Sequence, residues 1–226
     1  MSSFNIVKTS KVSNSFRANV IKGMFEIDKN EIVERFTGDI SLPEKWNVGL
    51  IYGASGTGKS TIAKQLFPEQ YIRGFLYNKD SVIDDMPESC DVKTITKMFS
   101  SVGFASVPSW LKPYEVLSNG EKMRVDLARA ILEKKDFVVF DEFTSVVDRQ
   151  VAKFGSHALQ KAVRKMNKRF VAVSCHKDII DWLEPDWTFC TDTMTFENVK
   201  KNDQKLNCNF VNVQNLFGNV LKNIII

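Results

Sequence analysis

The sequence lacks any long apolar run, and this absence excludes an integral membrane protein. A helix that crosses a bilayer needs about 20 consecutive apolar residues, and no stretch of the 226 residues approaches that composition. The opening segment, residues 1–13, is polar and basic and has no apolar core of a signal peptide. We therefore expect a cytoplasmic protein.

Cysteine is also scarce, and its placement excludes a disulfide scaffold and a zinc site. The four cysteines lie far apart and form no CxxC pair: Cys90, Cys175, Cys190 and Cys208. With only 2 histidines in the chain, no spacing is typical of a structural zinc centre. We interpret the cysteines as reduced thiols.

No strong charge bias is present, because 31 basic residues stand against 27 acidic ones, for a net charge of +4. This small excess permits a nucleic-acid partner without requiring one. Basic residues do cluster at 161–169 near the predicted end of a helix, where cations favour the helix dipole and are usually solvated. A nucleic-acid patch is the alternative interpretation.

What the chain does have is enough apolar residues, 43%, for one globular domain, and their pattern predicts an α/β fold. Loose alternation around 19–27 and 31–42 predicts an N-terminal hairpin or meander. Further along, strands are predicted at 46–52, 137–140 and 170–174, and helices at 61–67, 92–101, 119–134 and 149–167. Strand, helix, strand in this order is typical of a parallel sheet with crossover helices.

A glycine-rich segment at 53–60, GASGTGKS, matches the phosphate-loop pattern GxxxxGK[ST] between an apolar strand and a helix. Glycines let backbone N–H groups turn toward phosphates at the positive end of a helix. Lys59 is predicted to reach the β- and γ-phosphates, and the Ser60 hydroxyl to bind Mg²⁺. The predicted nucleotide contacts in this segment are Gly53, Ser55, Gly56, Thr57, Gly58, Lys59, Ser60 and Thr61.

Two carboxylates follow the apolar strand predicted at 137–140. An acidic residue at the carboxyl end of a strand beside a phosphate loop can hold magnesium, which predicts that role for Asp141. Glu142 is then placed to accept a proton from an attacking water. Without the loop upstream, a solvated strand end would be the simpler interpretation.

The segment Leu117-Ser-Asn-Gly-Glu121 opens a helix, since Ser118 and Glu121 form a capping box. Taken alone, it is a well-capped helix. A serine hydroxyl, an Asn-Gly pair and free N–H groups at a helix start also make a receptor for a terminal phosphate. The predicted contacts here are Ser118, Asn119, Gly120 and Glu121.

These motifs together resemble those of ABC-type (ATP-binding cassette) ATPases. The segment at 117–121, which begins just before Ser118 and lies 23 positions before Asp141, resembles their LSGGQ signature. Ser145-Val-Val-Asp148 resembles their D-loop, and His176 resembles their switch histidine. More narrowly, 108–122, 141–150 and 171–176 resemble small stand-alone ABC ATPases of bacteria and phages, some of which carry an acetyltransferase domain. No such domain is visible here.

The resemblance implies an Mg²⁺-dependent ATPase that works as a homodimer with two composite ATP sites. Lys59, Ser60 and Asp141 of one subunit would bind Mg·ATP, and the signature of the other subunit would close over the γ-phosphate. Glu142 would polarise the water, and His176 would stabilise the transition state. Asp148 would join the two sites.

The resemblance also implies a division of the chain. We expect a β-subdomain at 1–45, a P-loop core at 46–77 and 135–197, a helical signature subdomain at 78–134 and a C-terminal extension at 198–226. Apolar residues three and four apart in that extension favour an amphipathic helix. The N-terminal strands are expected to supply an aromatic that stacks on adenine, with Phe16 and Phe25 as candidates.

One family feature is missing, since no glutamine occurs between Tyr71 and Arg149. ABC ATPases place a magnesium-sensing glutamine in this interval, and Asp80, Ser81 or Asp84 could substitute for it. Ser118 follows Ser60 by only 58 positions, so the helical part is reduced. Both features favour a soluble, ATP-driven switch acting on a protein or nucleic-acid partner and disfavour membrane subunits. The alternatives are the ATP-binding subunit of a transporter and a slowly hydrolysing scaffold.

Overall fold

The computed structural model describes residues 2–28, 30–134 and 136–199. Its strands are β1 Ser2–Lys11, β2 Glu31–Ile40, β3 Val48–Tyr52, β4 Tyr71–Ile72, β5 Phe137–Phe140, β6 Arg169–Ser174, β7 Trp187–Cys190 and β8 Thr195–Asn198. Its α-helices are α1 Phe16–Met24, α2 Lys59–Leu66, α3 Val92–Ser101, α4 Val107–Trp110, α5 Asn119–Glu133, α6 Arg149–Lys165 and α7 Ile180–Leu183. None of the described helices is long and apolar enough to cross a membrane.

The strands form two sheets. β1 and β2 make an antiparallel two-stranded ribbon, and the other six strands form one sheet in the order β4-β5-β6-β3-β7-β8. Neighbours in the larger sheet are parallel except β7 and β8, which are antiparallel. The fold is therefore α/β with an antiparallel ribbon and a mixed core sheet, so the predicted parallel core is correct except for its edge strand β8.

The central strands β3, β5 and β6 are largely apolar and buried, as expected for strands covered on both faces of the sheet. Successive residues alternate between two clusters, with Leu50 packing in one and Ile51 in the other. The first cluster lies against α3, α5 and α6, and the second against α2 and the ribbon. This sandwich fixes the carboxyl ends of β3 and β5, where the predicted site residues lie.

Most predicted core elements are confirmed, and the helix at 92–101 has the bounds that were predicted. Phe154, a large apolar residue on α6, has an exposed fraction of 64%. Gly155 and Leu159 are buried on the inner side of this helix instead. The tail beyond residue 199 and its predicted helix lie outside the described residues.

The N-terminal prediction needs a larger correction. Residues 16–24 form helix α1 rather than a strand, because the side chain of Ser15 caps the first turn by accepting from Ala18 N–H at 3.3 Å. The partner of β2 is β1, whose Phe4 pairs with Gly38. Phe16 is thus the first residue of α1 and Phe25 directly follows its end, so neither lies on a strand. Their exposed fractions are 84% and 67%.

Candidate nucleotide site

The phosphate loop leaves β3 and leads directly into α2, and two of its glycines have backbone angles that other residues rarely adopt. Gly56 and Gly58 have φ of 86° and 87°, in the left-handed region. A Cβ on Gly58 would lie 2.4 Å from the ring of Phe36, which is buried on β2. The ribbon therefore packs directly on the loop, and only glycine fits at this contact.

Two polar residues that follow β7 hold the start of the loop. The carboxylate of Asp192 accepts the N–H of Ala54 at 2.9 Å, and the hydroxyls of Thr57 and Thr191 are 2.6 Å apart. Lys59 donates through its Nζ to the carbonyl of Ala54 at 2.6 Å. Sequence reasoning missed Thr191 and Asp192, although polar residues directly after a parallel strand beside β3 were a usable signal.

Tyr71 lies between the carboxyl end of β5, where Asp141 follows, and the end of the phosphate loop at Ser60. Asp141 is 2% exposed, and its Oδ2 accepts a short hydrogen bond from the phenol of Tyr71. Burial, followed by this hydrogen bond, raises the pKa of Tyr71 to about 12, and the nearby hydroxyl of Ser60 lowers it. The predicted metal ligands Ser60 and Asp141 thus converge on one phenol, which sequence reasoning did not find.

These oxygen atoms fit a magnesium ion. Mg²⁺ is typically held by one or two carboxylates together with substrate phosphates rather than by a protein cage. Asp141 offers a buried carboxylate and Ser60 a hydroxyl, both beside the loop that would hold phosphates. Among the described residues, no group of three or more His, Cys, Asp or Glu could hold a metal by itself.

Glu142 is exposed and has a left-handed backbone, with φ of 55°. Its Oε2 accepts from the hydroxyl of Ser145 at 2.7 Å. Thr144 also has a positive φ of 65°, and its buried hydroxyl has no hydrogen-bond partner in the described structure. Two non-glycine residues in this conformation are uncommon and costly, and such strain clusters at functional sites.

The predicted signature caps α5 as its sequence indicates. Ser118 accepts from the backbone N–H of Glu121 at 3.4 Å, and the carboxylate of Glu121 accepts from Ser118 N–H at 3.0 Å. A hydrogen bond from Ser109 lowers the pKa of Glu121, and the capping bonds to Ser118 add to the effect. Glu121 is therefore an ionised cap in the structure, and its predicted contact with nucleotide stays a prediction.

An ion pair joins the segments that carry Asp148 and His176. Asp148 caps α6 by accepting from Gln150 and Val151 N–H at 2.8 and 3.0 Å. The next residue, Arg149, binds both carboxylate oxygens of Asp178, which lies two positions after His176. This bond lowers the pKa of Asp178. We call the Arg149–Asp178 pair the loop clamp.

A cavity of about 200 Å³ lies beside the two carboxylates. Asp141, Glu142 and Asn119 line it, and so does Arg73, the residue directly after β4. Ser118 and Gly120 are not part of its wall. Asp80, Ser81 and Asp84, the candidates to replace the missing glutamine, do not line the cavity either. Ser81 instead donates to Asp84 in a turn whose backbone hydrogen-bonds to residues 110–112. Arg73, from the same interval, does line the cavity together with Asp141.

A buried polar network forms the floor of the same cavity. The phenols of Tyr77 and Tyr114 stack with centroids 3.9 Å apart, and they donate to the two oxygens of Asp126 at 2.7 and 2.8 Å. Burial raises the pKa of all three groups. The network ties α5 to the segments before it and so fixes the cavity's shape.

The basic cluster at 161–169 is largely engaged within the chain. Arg164 binds Asp186 at 2.9 Å, Lys168 donates to the carbonyl of Ile131 at 2.8 Å, and Arg169 lies over the ring of Trp46. Lys161 and Lys165 are exposed. These contacts favour the structural interpretation of the cluster over a nucleic-acid patch.

Comparison with known proteins gives relatives by sequence, although no family model matches the chain. The inner membrane ABC transporter ATP-binding protein YddA of Escherichia coli (strain K12) is 27% identical over 150 residues, which cover 55% of this chain and 26% of that protein. An uncharacterized ABC transporter ATP-binding protein of Haemophilus influenzae is 32% identical over 136 residues, covering 47% and 55%. The matched part thus spans no more than about half the length of these relatives.

Solved structures share the fold. One is described as an inward-facing ABC transporter of the metal-chelate type, with a TM-score of 0.58, 15% identity and coverage of 74% and 76% of the two chains. Another is the ATP-binding cassette MJ0796, a dimer in a post-hydrolysis state bound to ADP and Pi, with a TM-score of 0.60, 13% identity and coverage of 87% and 97%. The predicted fold and the resemblance to ABC-type ATPases are confirmed.

Proposed function

We propose that this chain, an ABC-type ATPase by fold and by sequence similarity, binds Mg·ATP at residues 53–60 and hydrolyses it in a head-to-tail homodimer. The observation that carries the proposal is the convergence of Ser60 and Asp141 on the phenol of Tyr71. Ser60 and Asp141 are 81 positions apart in the sequence, yet both lie close to the same hydroxyl group beside the phosphate loop. A magnesium-assisted phosphate site requires such a pair of oxygen ligands.

Binding follows from the loop and from the start of α2. The loop N–H groups and the positive end of the helix attract phosphates, and Lys59 exchanges its bond to the Ala54 carbonyl for the β- and γ-phosphates. Magnesium, when bound, neutralises phosphate charge. Ser60 and Asp141 are the residues that would hold it.

Hydrolysis needs a base close to the terminal phosphate. Glu142 follows Asp141 directly, is exposed and lines the cavity. Its carboxylate holds the Ser145 hydroxyl in the structure, so an attacking water could take the place of that hydroxyl and pass its proton to Glu142. His176 would stabilise the charge that develops on the γ-phosphate.

A second copy would complete the site. No hydrogen bond in the described part of the chain joins Ser118 or Gly120 to the phosphate loop, so each copy offers both halves separately. A two-fold dimer brings each half against its complement, and the similar structure of MJ0796 is a dimer. Asp148 would lie at the contact between copies.

Replacement of Glu142 by Gln tests this assignment. The variant keeps the side-chain size and loses the base, so ATP turnover should fall roughly 10²-fold or more. ATP would then accumulate in the closed state, and size-exclusion chromatography with Mg·ATP should show a dimer. Glu88→Gln, on an exposed segment outside the site, is the matched control and should hydrolyse ATP at the wild-type rate. Wild-type turnover in Glu142→Gln would refute the role of Glu142, and a variant that stays monomeric with ATP would refute the dimer.

Two versions of this function differ in the partner on which the cycle of ATP binding and hydrolysis acts. The reduced helical part and the missing glutamine favour a switch in the cytoplasm that acts on a protein or nucleic-acid partner. The second candidate is the ATP-binding subunit of a transporter, which the names of the sequence relatives favour. Stimulation of turnover by DNA or RNA that weakens with added salt would identify the nucleic-acid version.

A further inference from the structure

We propose that Arg73 is a catalytic residue that binds the terminal phosphate of ATP from the same subunit. The proposal rests on the proposed function and adds a residue to its site. It also assigns the cavity of about 200 Å³ beside Asp141 to the γ-phosphate.

The first argument is the strand register. β4 and β5 are parallel, with Ile72 opposite Phe140, so the next residues, Arg73 and Asp141, leave the sheet side by side. The backbone N–H of Asp141 donates to the carbonyl of Ile72 at 2.8 Å. Arg73 is therefore held directly after a fixed hydrogen bond beside the metal carboxylate, and its position does not depend on a flexible loop.

The second argument is the sheet order, which limits what Arg73 can reach. The phosphate loop follows β3, Asp141 follows β5, and Arg73 follows β4, one strand further from the loop. A phosphate chain that runs from the loop toward Asp141 and Glu142 presents its last phosphoryl group to Arg73. Arg73 therefore distinguishes ATP from ADP, whereas the loop binds the phosphates that both share.

The third argument is that Arg73 is free to bind an anion. Two cations line the cavity, and Lys122 is engaged, with its Nζ on the carbonyl of Glu115 at 3.0 Å. Arg73 is exposed, and within residues 2–28, 30–134 and 136–199 it makes no hydrogen bond or ion pair. Its planar guanidinium suits a phosphate, which accepts two parallel hydrogen bonds from it.

Binding of two fluorescent nucleotides, mant-AMP-PNP and mant-ADP, tests the proposal without hydrolysis. Arg73→Ala should weaken binding of the triphosphate analogue about tenfold, as loss of a hydrogen bond to a charged group predicts, and leave binding of mant-ADP unchanged within about twofold. Arg73→Gln, which places an amide there, should retain part of the preference for the triphosphate and lower turnover less than Arg73→Ala does. Lys79→Ala, an exposed cation on the same segment, is the matched control and should change neither affinity.

The possible outcomes distinguish a failure of the role of Arg73 from a failure of the proposed nucleotide-binding function. An equal loss of both nucleotides in Arg73→Ala, or no loss of either, overturns the role of Arg73 while nucleotide binding stands. A wild-type protein that binds neither analogue overturns the proposed function itself. Because Arg73 is exposed, the thermal unfolding of both variants should match that of the wild type, and a variant that unfolds on purification also contradicts the proposal.

Discussion

Tyr71 is the residue whose role the structure changes most. Its hydroxyl contacts Asp141 and lies near Ser60, while its ring packs against the buried cluster that contains Phe67. With a pKa of about 12, the phenol stays protonated at neutral pH and remains a donor. It would therefore orient Asp141, the carboxylate proposed to hold magnesium, in the way that outer-shell partners orient the ligands of metal sites.

Tyr71→Phe should keep the ring packing and lose the hydrogen bond to Asp141. Outer-shell partners typically contribute 10- to 100-fold to metal affinity, so the half-saturating Mg²⁺ concentration for binding of an ATP analogue should rise about tenfold or more. A magnesium titration of mant-AMP-PNP fluorescence measures this. An unchanged magnesium requirement would show that Tyr71 only fills space.

Single residues also show what sequence reasoning could reach. Gly58, Ser118 and Asp141 could be named as candidates because each belongs to a local pattern with a known chemical demand. Thr191 and Asp192 were missed although polar residues directly after a strand were a usable signal, and Arg73 was missed because no local pattern predicts the strand pairing that places it beside Asp141. The register of β4 with β5, not the composition around 73, brings the arginine to the site.

At the scale of elements, capping decided where prediction succeeded. The capping box of Ser118 and Glu121 located the start of α5, and Asp91 caps α3 at its predicted start. Ser15 caps α1 in the structure, whereas the loose alternation over 19–27 predicted a strand there. Strand β1, the real partner of β2, was not predicted, since the hairpin was placed at 19–27 and 31–42.

Asp186 links three elements and gives a prediction for acid stability. Its carboxylate accepts from the N–H groups of Asn47 and Val48 at the start of β3 and from Arg164 on α6. Burial alone would raise the pKa of Asp186, but the two backbone bonds and Arg164 outweigh it, and the pKa lies below its usual value.

Because the folded pKa of Asp186 is lowered, its contribution to stability is present above the unfolded pKa of about 4 and is lost as the pH falls through the folded value. The free energy of unfolding of Asp186→Asn should therefore depend less on pH than that of the wild type below about pH 4. Urea denaturation at a series of pH values measures both slopes. Parallel slopes would show that Asp186 does not titrate differently on folding.

At the scale of the whole molecule, the proposed dimer predicts that two inactive chains restore one another. Lys59→Ala removes one half of a site and Ser118→Arg removes the other, so each variant alone should be inactive. An equal mixture forms heterodimers with one intact site, and activity should recover to about a quarter of the wild-type value for statistical pairing. A mixture that stays inactive would contradict shared sites. A mixture of Lys59→Ala with Lys59→Ala,Ser118→Arg is the control and should stay inactive.

The loop clamp has a consequence for such a pair. Arg149 follows the carboxylate predicted to touch the neighbouring copy, and Asp178 lies just past the histidine predicted to touch phosphate, so the clamp links these two segments directly. In the proposed assembly, release of a cleaved phosphate from one site would therefore move the linked segment that contacts the other subunit. ATP hydrolysis at the two sites would then alternate instead of occurring independently.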